Sequence, residues 1–304
     1  MKNWVSFSPH IKQNISANKL YIIGIISALP VAFYGIATFG LNVILLLLAS
    51  TLSAVIADVL SVWIVYKKLE IKELSSVYVG LLIGLSMPPA CPFWIPIIAS
   101  ILAVVLVKTL AGGVGKNFVS EVAAAKILVA LMFGAMFYRF IDPQTGAGAS
   151  ETLVDNVIAN NDFKVNFVDL LLGSYSGSIG ETGILYVLIG GLILMFTKVI
   201  DYKQSLAYLL SVFAFSYLLF DINVAIVLTL SSTFVAFFVI TDYATSPDSG
   251  LARLVYGLFL GVITALIFKF GEYRFAGYYA TLLGGLVYSA IKGSFLPFKK
   301  VVKA

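Results

Sequence analysis

The chain has 304 residues, of which 60% are hydrophobic and only 12% are charged. A soluble domain usually carries about 25% charged residues, so this composition excludes a cytosolic enzyme. It also excludes a disordered chain, which needs high charge and few aromatic side chains. One cysteine and one histidine exclude an intrachain disulfide, a cysteine-ligated iron–sulfur cluster and a histidine pair for haem. The composition predicts a single integral membrane domain over residues 1–304.

Ten apolar segments are candidates for membrane-spanning helices, which need about 20 residues each. The third is too short and ends before three prolines, which favours a half-helix or broken helix buried in protein. The predicted fold is therefore all-α, with about ten transmembrane helices: Leu20–Tyr34, Leu41–Tyr66, Ser75–Met87, Trp94–Leu110, Val122–Tyr138, Ile179–Val199, Gln204–Phe220, Ile222–Thr241, Leu251–Phe270 and Ala276–Ile291.

Basic residues between these segments predict the orientation, because cytoplasmic loops carry an excess of lysine and arginine. With Lys108 and Lys126 assigned to the loop between the fourth and fifth segments, most of the 20 basic residues fall on one side. The N-terminus (1–19) and the C-terminus (292–304) lie on that side. Both termini are therefore expected to face the cytoplasm.

A long polar segment, 139–178, is expected on the outer side of the membrane. It divides the predicted spans into two groups of five, 20–138 and 179–291. Two such groups have opposite orientations, which is the arrangement of inverted repeats with a site between them. The two groups share no convincing sequence identity, so the repeat is predicted from topology alone.

The segment Gly177–Gly183, Gly-Ser-Ile-Gly-Glu-Thr-Gly, stands where the polar segment enters the sixth span. Ser178 and Glu181 have the spacing of a capping box, so a plain helix cap is one interpretation. The other is a ligand site. Glycines let a ligand approach the backbone closely, a helix N-terminus attracts phosphate, and Thr182 offers a hydroxyl at the membrane surface.

This segment resembles the S-x-G-E-T motif of the RnfD/NqrB family. The family contains membrane subunits of the Rnf ferredoxin:NAD oxidoreductase and of the sodium-pumping NADH:quinone oxidoreductase. Further segments resemble family motifs in the same order along the chain: Ser8–Ile11, Gly80–Pro89, Gly112–Asn117 and Thr241–Pro247.

The chain also departs from the family pattern. Gly183 stands where serine is usual, and Ser120 and Glu121 stand near the places of an asparagine and a proline. Arg274–Ala276 replaces Pro-Glu-Gly before the last span. The chain lacks the long N-terminal extension of the quinone-reducing branch, which favours the Rnf branch.

The resemblance implies FMN attached to Thr182 through a phosphoester bond, with Ser178, Gly180 and Glu181 around it. The same motifs imply a second, non-covalent flavin, riboflavin, near the opposite face of the membrane.

The residues that match the surroundings of this second flavin are Asn117 and Asp242. Ordinary solvated loop residues are the alternative interpretation of both.

Asp58 is a further candidate, for ion coupling. It lies inside the second span, roughly 13 Å from Lys67 at 1.5 Å per residue. Carboxylates within a membrane are costly and are functional candidates by default. The alternative is a carboxylate satisfied by a nearby hydroxyl, such as that of Ser61 three residues further along the same helix face, or by interfacial water.

The resemblance implies an electron-carrying subunit of an Rnf-type complex in a bacterial or archaeal cell membrane. It would act only with the other Rnf subunits (A, B, C, E and G), through which ferredoxin and NAD are reached, and would couple electron transfer to Na⁺ or H⁺ translocation. No nucleic acid partner is expected. A flavin-free secondary transporter and a structural membrane subunit without cofactor are the alternatives.

Overall fold

The computed structural model describes residues 16–67, 74–113, 115–149, 151–152, 155, 166–220, 227–228, 231–271 and 273–292. Its helices, numbered along the chain, are α1 (Ala17–Phe39), α2 (Asn42–Tyr66), α3 (Ser75–Ser86), α4 (Trp94–Leu102), α5 (Glu121–Phe137), α6 (Phe167–Leu172), α7 (Ile179–Thr182), α8 (Ile184–Phe196), α9 (Tyr202–Phe220), α10 (Ser232–Phe234), α11 (Gly250–Phe270) and α12 (Ala276–Ile291).

Short elements extend or connect these helices. The π-helical segment Ala103–Thr109 continues α4, and a second one, Val235–Val239, continues α10. A 3₁₀ turn, Tyr273–Phe275, precedes α12. The strands β1 (Phe140–Ile141) and β2 (Gly148–Ala149) form an antiparallel hairpin within the polar segment, with Phe140 paired to Ala149.

In the part of the chain that the structure describes, three helices are long and apolar enough to cross a bilayer: Ala17–Phe39, Asn42–Val65 and Gly250–Phe270. Shorter apolar helices accompany them: Ser75–Ser86, Trp94–Thr109 and Ile184–Phe196. Large apolar side chains such as Phe33 and Leu131 point outward, with 67% and 70% of their surface exposed. The protein is therefore an all-α membrane protein, as predicted. The count of ten spans stays a prediction, and the eighth, 222–241, lies partly outside the described residues.

The third predicted segment is short and broken, as its prolines indicate. α3 ends after 12 residues, and Met87 is extended (ψ 153°) because the residue before a proline is pushed out of the helical region. The Met87 carbonyl accepts a hydrogen bond from the Ile179 N–H at 3.1 Å. The broken end of α3 is thereby joined to the start of α7, which places residues 178–182 inside the bundle.

The two halves of the chain pack through their first and last helices. α1 packs against α8, and α5 packs against α12. The approach of α1 and α8 is close, since a methyl group on Gly190 would overlap the Ser27 carbonyl oxygen and lie 2.9 Å from the Phe238 ring. This pairing is compatible with two inverted repeats, whose symmetry stays a prediction.

The assignment of Lys108 and Lys126 to a loop was wrong. Lys108 lies in the π-helical continuation of α4 and Lys126 lies within α5, and both are buried, with 4% and 1% of their surface exposed. Both lysines lie within predicted spans, and each has a carboxylate partner inside the bundle, Asp58 for Lys108 and Glu181 for Lys126. The number of basic residues counted on the predicted cytoplasmic side therefore falls by two.

We expect Gly190→Ala to destabilise the protein by about 1–3 kcal/mol, since an added methyl in a close helix contact forces the backbones apart. Thermal denaturation of the purified protein measures the change. Gly134→Ala is the matched control, because its added methyl meets nothing closer than 3.8 Å. Equal melting temperatures for both variants would contradict the close α1–α8 contact.

Candidate functional site

The segment 178–182 forms a single helical turn that starts inside the bundle. Ser178 is the extended residue before α7, and its side chain makes no capping hydrogen bond. The capping box predicted from the spacing of Ser178 and Glu181 is therefore wrong. α7 ends at Thr182, and Gly183 (ψ 67°) separates it from α8, so the sixth predicted span is broken.

The side chains of Ser178 and Glu181 bind Lys126 instead. The Lys126 Nζ donates to the Ser178 Oγ at 3.3 Å and to Glu181 Oε1, with which it forms an ion pair. The Tyr278 hydroxyl donates to the same carboxylate oxygen at 2.9 Å. The Lys126 Nζ also lies 4.3 Å from the centre of the Tyr278 ring, a favourable cation–π distance. These contacts tie α7 to α5 and α12.

Thr182 is completely buried, with 0% of its surface exposed. Its hydroxyl donates to the carbonyls of Ser178 and Ile179, at 3.3 Å in each case. Both distances are long for a hydroxyl donor. Threonine hydroxyls within helices commonly turn back to carbonyls of the preceding turn. The hydroxyl therefore faces its own helix, and the expected position of Thr182 at the membrane surface stays a prediction.

The three glycines of the motif have different neighbours. A methyl group on Gly180 would lie 2.8 Å from the Phe234 ring, and one on Gly183 would overlap the Tyr34 ring. These two glycines therefore allow aromatic side chains to pack on the backbone. Gly177 lines the cavity described next. A methyl group there would lie 2.8 Å from the Thr182 Cγ2.

A cavity of about 470 Å³, here called the motif cavity, opens beside α7. Two cationic side chains, Lys126 and Arg274, reach it from different elements. Its remaining wall comes from residues 176–178 and Glu181, from Thr152 and Ser231, and from aromatic side chains: Phe137, Tyr138, Phe140, Tyr175 and Phe275. Flat apolar walls with a few polar groups are typical of ligand sites, and cations are typical partners of phosphate.

Arg274 is held at the cavity wall by Asp155. Its Nε donates to Asp155 Oδ1 at 2.9 Å, and the Tyr273 hydroxyl donates to the same oxygen. Its guanidinium lies 4.7 Å from the centre of the Tyr138 ring. Partial burial opposes ionisation of Asp155, but the hydrogen bonds from Arg274, the Thr152 backbone and Tyr273 outweigh it and lower the pKa of this carboxyl below its ordinary value.

A larger cavity of about 800 Å³, here called the distal cavity, contains both residues predicted for the second flavin. Asn117 and Asp242 line it, and burial raises the pKa of Asp242 to about 6. Aromatic side chains line it as well: Tyr21, Tyr78, Tyr243 and Phe238. The structure therefore brings the predicted pair together in one cavity.

The sequence motifs identify Glu121 only as a departure from the family pattern. The structure places its carboxylate at the wall of the distal cavity, where Asn117 Nδ2 donates to Glu121 Oε1. The remaining oxygens, Asn117 Oδ1 and Glu121 Oε2, are buried and have no hydrogen-bond partner among the described residues. The sequence pattern does not predict such a pair, because the pair depends on a contact between a loop residue and the first residue of a helix. Only the structure shows that contact.

The two cavities lie at opposite ends of α5. The distal cavity is lined by Glu121 at the first residue of the helix, and the motif cavity by Phe137 at the last. Sixteen residue steps correspond to about 24 Å along a straight helix, and the kink of α5 at Phe133 shortens this distance. Lys126, which also lines the motif cavity, is only five steps from Glu121. The motif cavity therefore reaches deep into the bundle.

Asp58 is paired inside the bundle. The Ser76 hydroxyl donates to Asp58 Oδ2 at 2.7 Å, and Lys108 Nζ lies 2.9 Å from the same oxygen. Lys108 also donates to Ser75 and Ser76, at 2.9 and 2.8 Å. The hydroxyl bound to Asp58 thus comes from Ser76 of α3, in agreement with the alternative of a nearby hydroxyl, although the residue is not Ser61. A role of Asp58 in ion coupling stays a prediction.

We expect Lys126→Met to destabilise the protein by about 3–5 kcal/mol, since it leaves the buried Glu181 carboxylate unpaired. The double variant Lys126→Met with Glu181→Gln recovers much of that loss. Thermal denaturation measures both. Lys292→Met, which breaks the exposed pair with Asp248, is the matched control and changes stability little. A double variant no more stable than the single one would contradict the pairing.

We expect Asp155→Asn to lower the melting temperature by the same amount at pH 6 and pH 8. A carboxyl with a lowered folded-state pKa contributes stability above its unfolded value of about 3.9, and loses it as the pH falls through the lower folded value. The difference between wild type and variant therefore shrinks only below about pH 4. A difference that disappears between pH 8 and pH 6 would contradict the Asp155–Arg274 pair.

Comparison with known proteins shows which family the chain is similar to. Residues 4–298 match the model of the NQR2, RnfD, RnfE family. The chain is 30% identical over 286 residues to the D subunit of the Na⁺-translocating ferredoxin:NAD⁺ oxidoreductase complex of Acetobacterium woodii, covering 92% of this chain and 89% of that protein. It is also 30% identical to the D subunit of the ion-translocating oxidoreductase complex of Methanosarcina acetivorans, covering 96% and 95%.

Proposed function

The chain belongs to the NQR2, RnfD, RnfE family, and we propose that it is the flavin-carrying membrane subunit of an Rnf-type complex. Relatives that span nearly the whole chain are named as D subunits of ion-translocating oxidoreductase complexes. It is accordingly a subunit of a translocating oxidoreductase that works within a multi-subunit complex. These relatives argue against a secondary transporter that functions alone.

The proposed cofactor is FMN attached to Thr182 by a phosphoester bond. The observation that carries this assignment is the motif cavity, which joins aromatic walls and two cations directly beside α7. A flavin ring is flat and apolar on its faces, and a phosphoester carries negative charge, so both parts of FMN meet suitable groups there. Attachment requires the Thr182 hydroxyl to leave two hydrogen bonds of 3.3 Å, which are weak at that length.

The residues around the motif have different proposed roles. Gly177 lines the cavity, and a side chain there would press on the Thr182 Cγ2. Lys126 and Glu181 fix α7 to α5, and Arg274 places a second cation at the wall. FMN, when bound, supplies the electron-accepting and electron-donating chemistry, while the protein orients it and sets its electrostatic surroundings.

Gly180 acts differently from the other proposed FMN neighbours. It packs against Phe234 and does not line the cavity, so it positions α7 and does not contact the cofactor.

The distal cavity is the proposed site of riboflavin. Tyr78 and Phe238 line it and offer aromatic faces for the ring. Asn117 Oδ1, which has no donor among the described residues, is available to accept a hydrogen bond from the ligand, and Asp242 lines the same wall. Riboflavin carries hydroxyl and N–H donors and no phosphate, which suits a wall rich in acceptors.

In the complex, electrons pass between reduced ferredoxin and NAD⁺ through the other Rnf subunits (A, B, C, E and G) and through the flavins of this chain. The transfer is coupled to translocation of Na⁺ or H⁺ across the bacterial or archaeal inner membrane, with both termini of this chain in the cytoplasm. A structural membrane subunit without cofactor is the alternative, and it predicts no added mass on Thr182.

Thr182→Val tests the covalent cofactor directly. We expect the denatured wild-type subunit, expressed with the native flavin-attaching machinery, to exceed its sequence mass by one FMN minus one water, and to fluoresce in a gel. Thr182→Val has a similar shape but no hydroxyl, so both signals disappear. Intact-mass spectrometry measures the increment. An unmodified wild-type subunit would contradict covalent attachment and favour the structural alternative.

Gly177→Ala tests the role of the motif cavity. Its methyl group would lie 2.8 Å from the Thr182 Cγ2 and restrict the rotation that turns the hydroxyl toward the cavity. We therefore expect a smaller flavinylated fraction in the intact-mass spectrum. Gly148→Ala is the control, because its methyl meets nothing within 4 Å. Full flavinylation of the Gly177→Ala subunit would show that FMN reaches Thr182 by another path.

A further inference from the structure

One buried hydroxyl at the wall of the motif cavity has no partner. Ser231, the residue before α10, lines this cavity and has only 2% of its surface exposed. Its Oγ forms no hydrogen bond with any described residue. Serine at this position commonly caps the following helix, but the Ser231 side chain makes no capping hydrogen bond to α10. The hydroxyl is therefore available to a ligand.

Other polar groups of the same wall are already bound within the protein. Lys126 donates to Ser178 and Glu181, and Arg274 donates to Asp155. Hydroxyl groups of the wall are bound as well: Tyr175 donates to the Glu181 carbonyl, Ser176 to the Glu151 carbonyl and Thr152 to the Asp155 carboxylate. A buried hydroxyl without a partner is costly, and native structures contain few of them. Ser231 therefore differs from these neighbours in needing a partner from outside the described chain.

Ser231 stands beside the aromatic part of the wall. A methyl group on Gly277 would lie 3.2 Å from the Ser231 Oγ, so the hydroxyl lies close to the first turn of α12. Two residues earlier, Phe275 packs against Phe137 and Tyr138, with ring centroids 6.0 and 5.9 Å apart. All three rings line the cavity. A flat ligand that lies on these rings brings its edge toward the start of α12 and the Ser231 hydroxyl.

We propose that the Ser231 hydroxyl donates a hydrogen bond to the pyrimidine edge of the FMN ring in the motif cavity. This inference rests on the proposed attachment of FMN to Thr182. The covalent bond fixes the phosphate at α7, whereas Ser231 belongs to α10 and lies beside the aromatic rings. The pyrimidine edge of a flavin carries carbonyl oxygens and ring nitrogens, and it gains negative charge on reduction. A donor at that edge therefore stabilises the reduced flavin more than the oxidised one.

The test is a mediated spectroelectrochemical titration of the detergent-purified complex. Subtraction of the Thr182→Val spectrum leaves the contribution of the covalent FMN. We expect Ser231→Ala to shift the visible absorption maximum of this FMN and to disfavour its reduced form by about tenfold, which lowers the midpoint potential by roughly 30 mV for a two-electron couple. Ser100→Ala is the matched control and changes neither quantity. Ser100 is also buried and unpartnered among the described residues, but it does not line the motif cavity.

The intact mass of the subunit in the same samples reports FMN on Thr182 separately. A Ser231→Ala subunit that keeps the FMN increment and has a lowered potential supports the inference. The full increment with an unchanged spectrum and potential would overturn it and leave the covalent cofactor in place, which is the result expected if the hydroxyl binds only water. A smaller increment with an unshifted potential would place the hydroxyl at the phosphate and would also overturn the inference. A wild type without the increment would refute the proposed function itself.

Discussion

The structure depends on one buried ion pair, between Lys126 of α5 and Glu181 of α7. A lysine inside a membrane protein needs a partner, because an isolated ammonium group in a low-dielectric interior is costly. Here the partner comes from the four-residue helix that carries Thr182. The pair, with the Tyr278 hydroxyl, fixes this helix between α5 and α12. The walls of the motif cavity and the buried position of Thr182 follow from that attachment.

Broken helices place the two cavities within one bundle. α3 stops at its prolines, and the carbonyl of Met87, the residue that follows it, accepts from the first N–H of α7. The second short helix, α10 with its π-helical continuation, presents Phe234 to Gly180 at one end and Phe238 to the distal cavity at the other. Irregular backbone at membrane depth is tolerated where it is buried in protein or lines a cavity, and both breaks meet that condition.

Hydropathy and motif spacing predicted much of this architecture. α1, α2 and α11 follow from long apolar runs, α3 follows from its prolines, and the motifs led to Thr182, Asn117 and Asp242. What spacing cannot reveal is a partner from another helix. Lys126 resembles a loop lysine until Glu181 is seen beside it, and Ser178 and Glu181 resemble a cap until their side chains are seen to bind Lys126.

An experimental density map of the whole complex, at a resolution that shows side chains, tests the central claim most directly. We predict density continuous with the Thr182 side chain that extends into the motif cavity, with Lys126 still paired to Glu181. The contradicting result is an empty motif cavity, in which the Thr182 hydroxyl remains bonded to the carbonyls of Ser178 and Ile179.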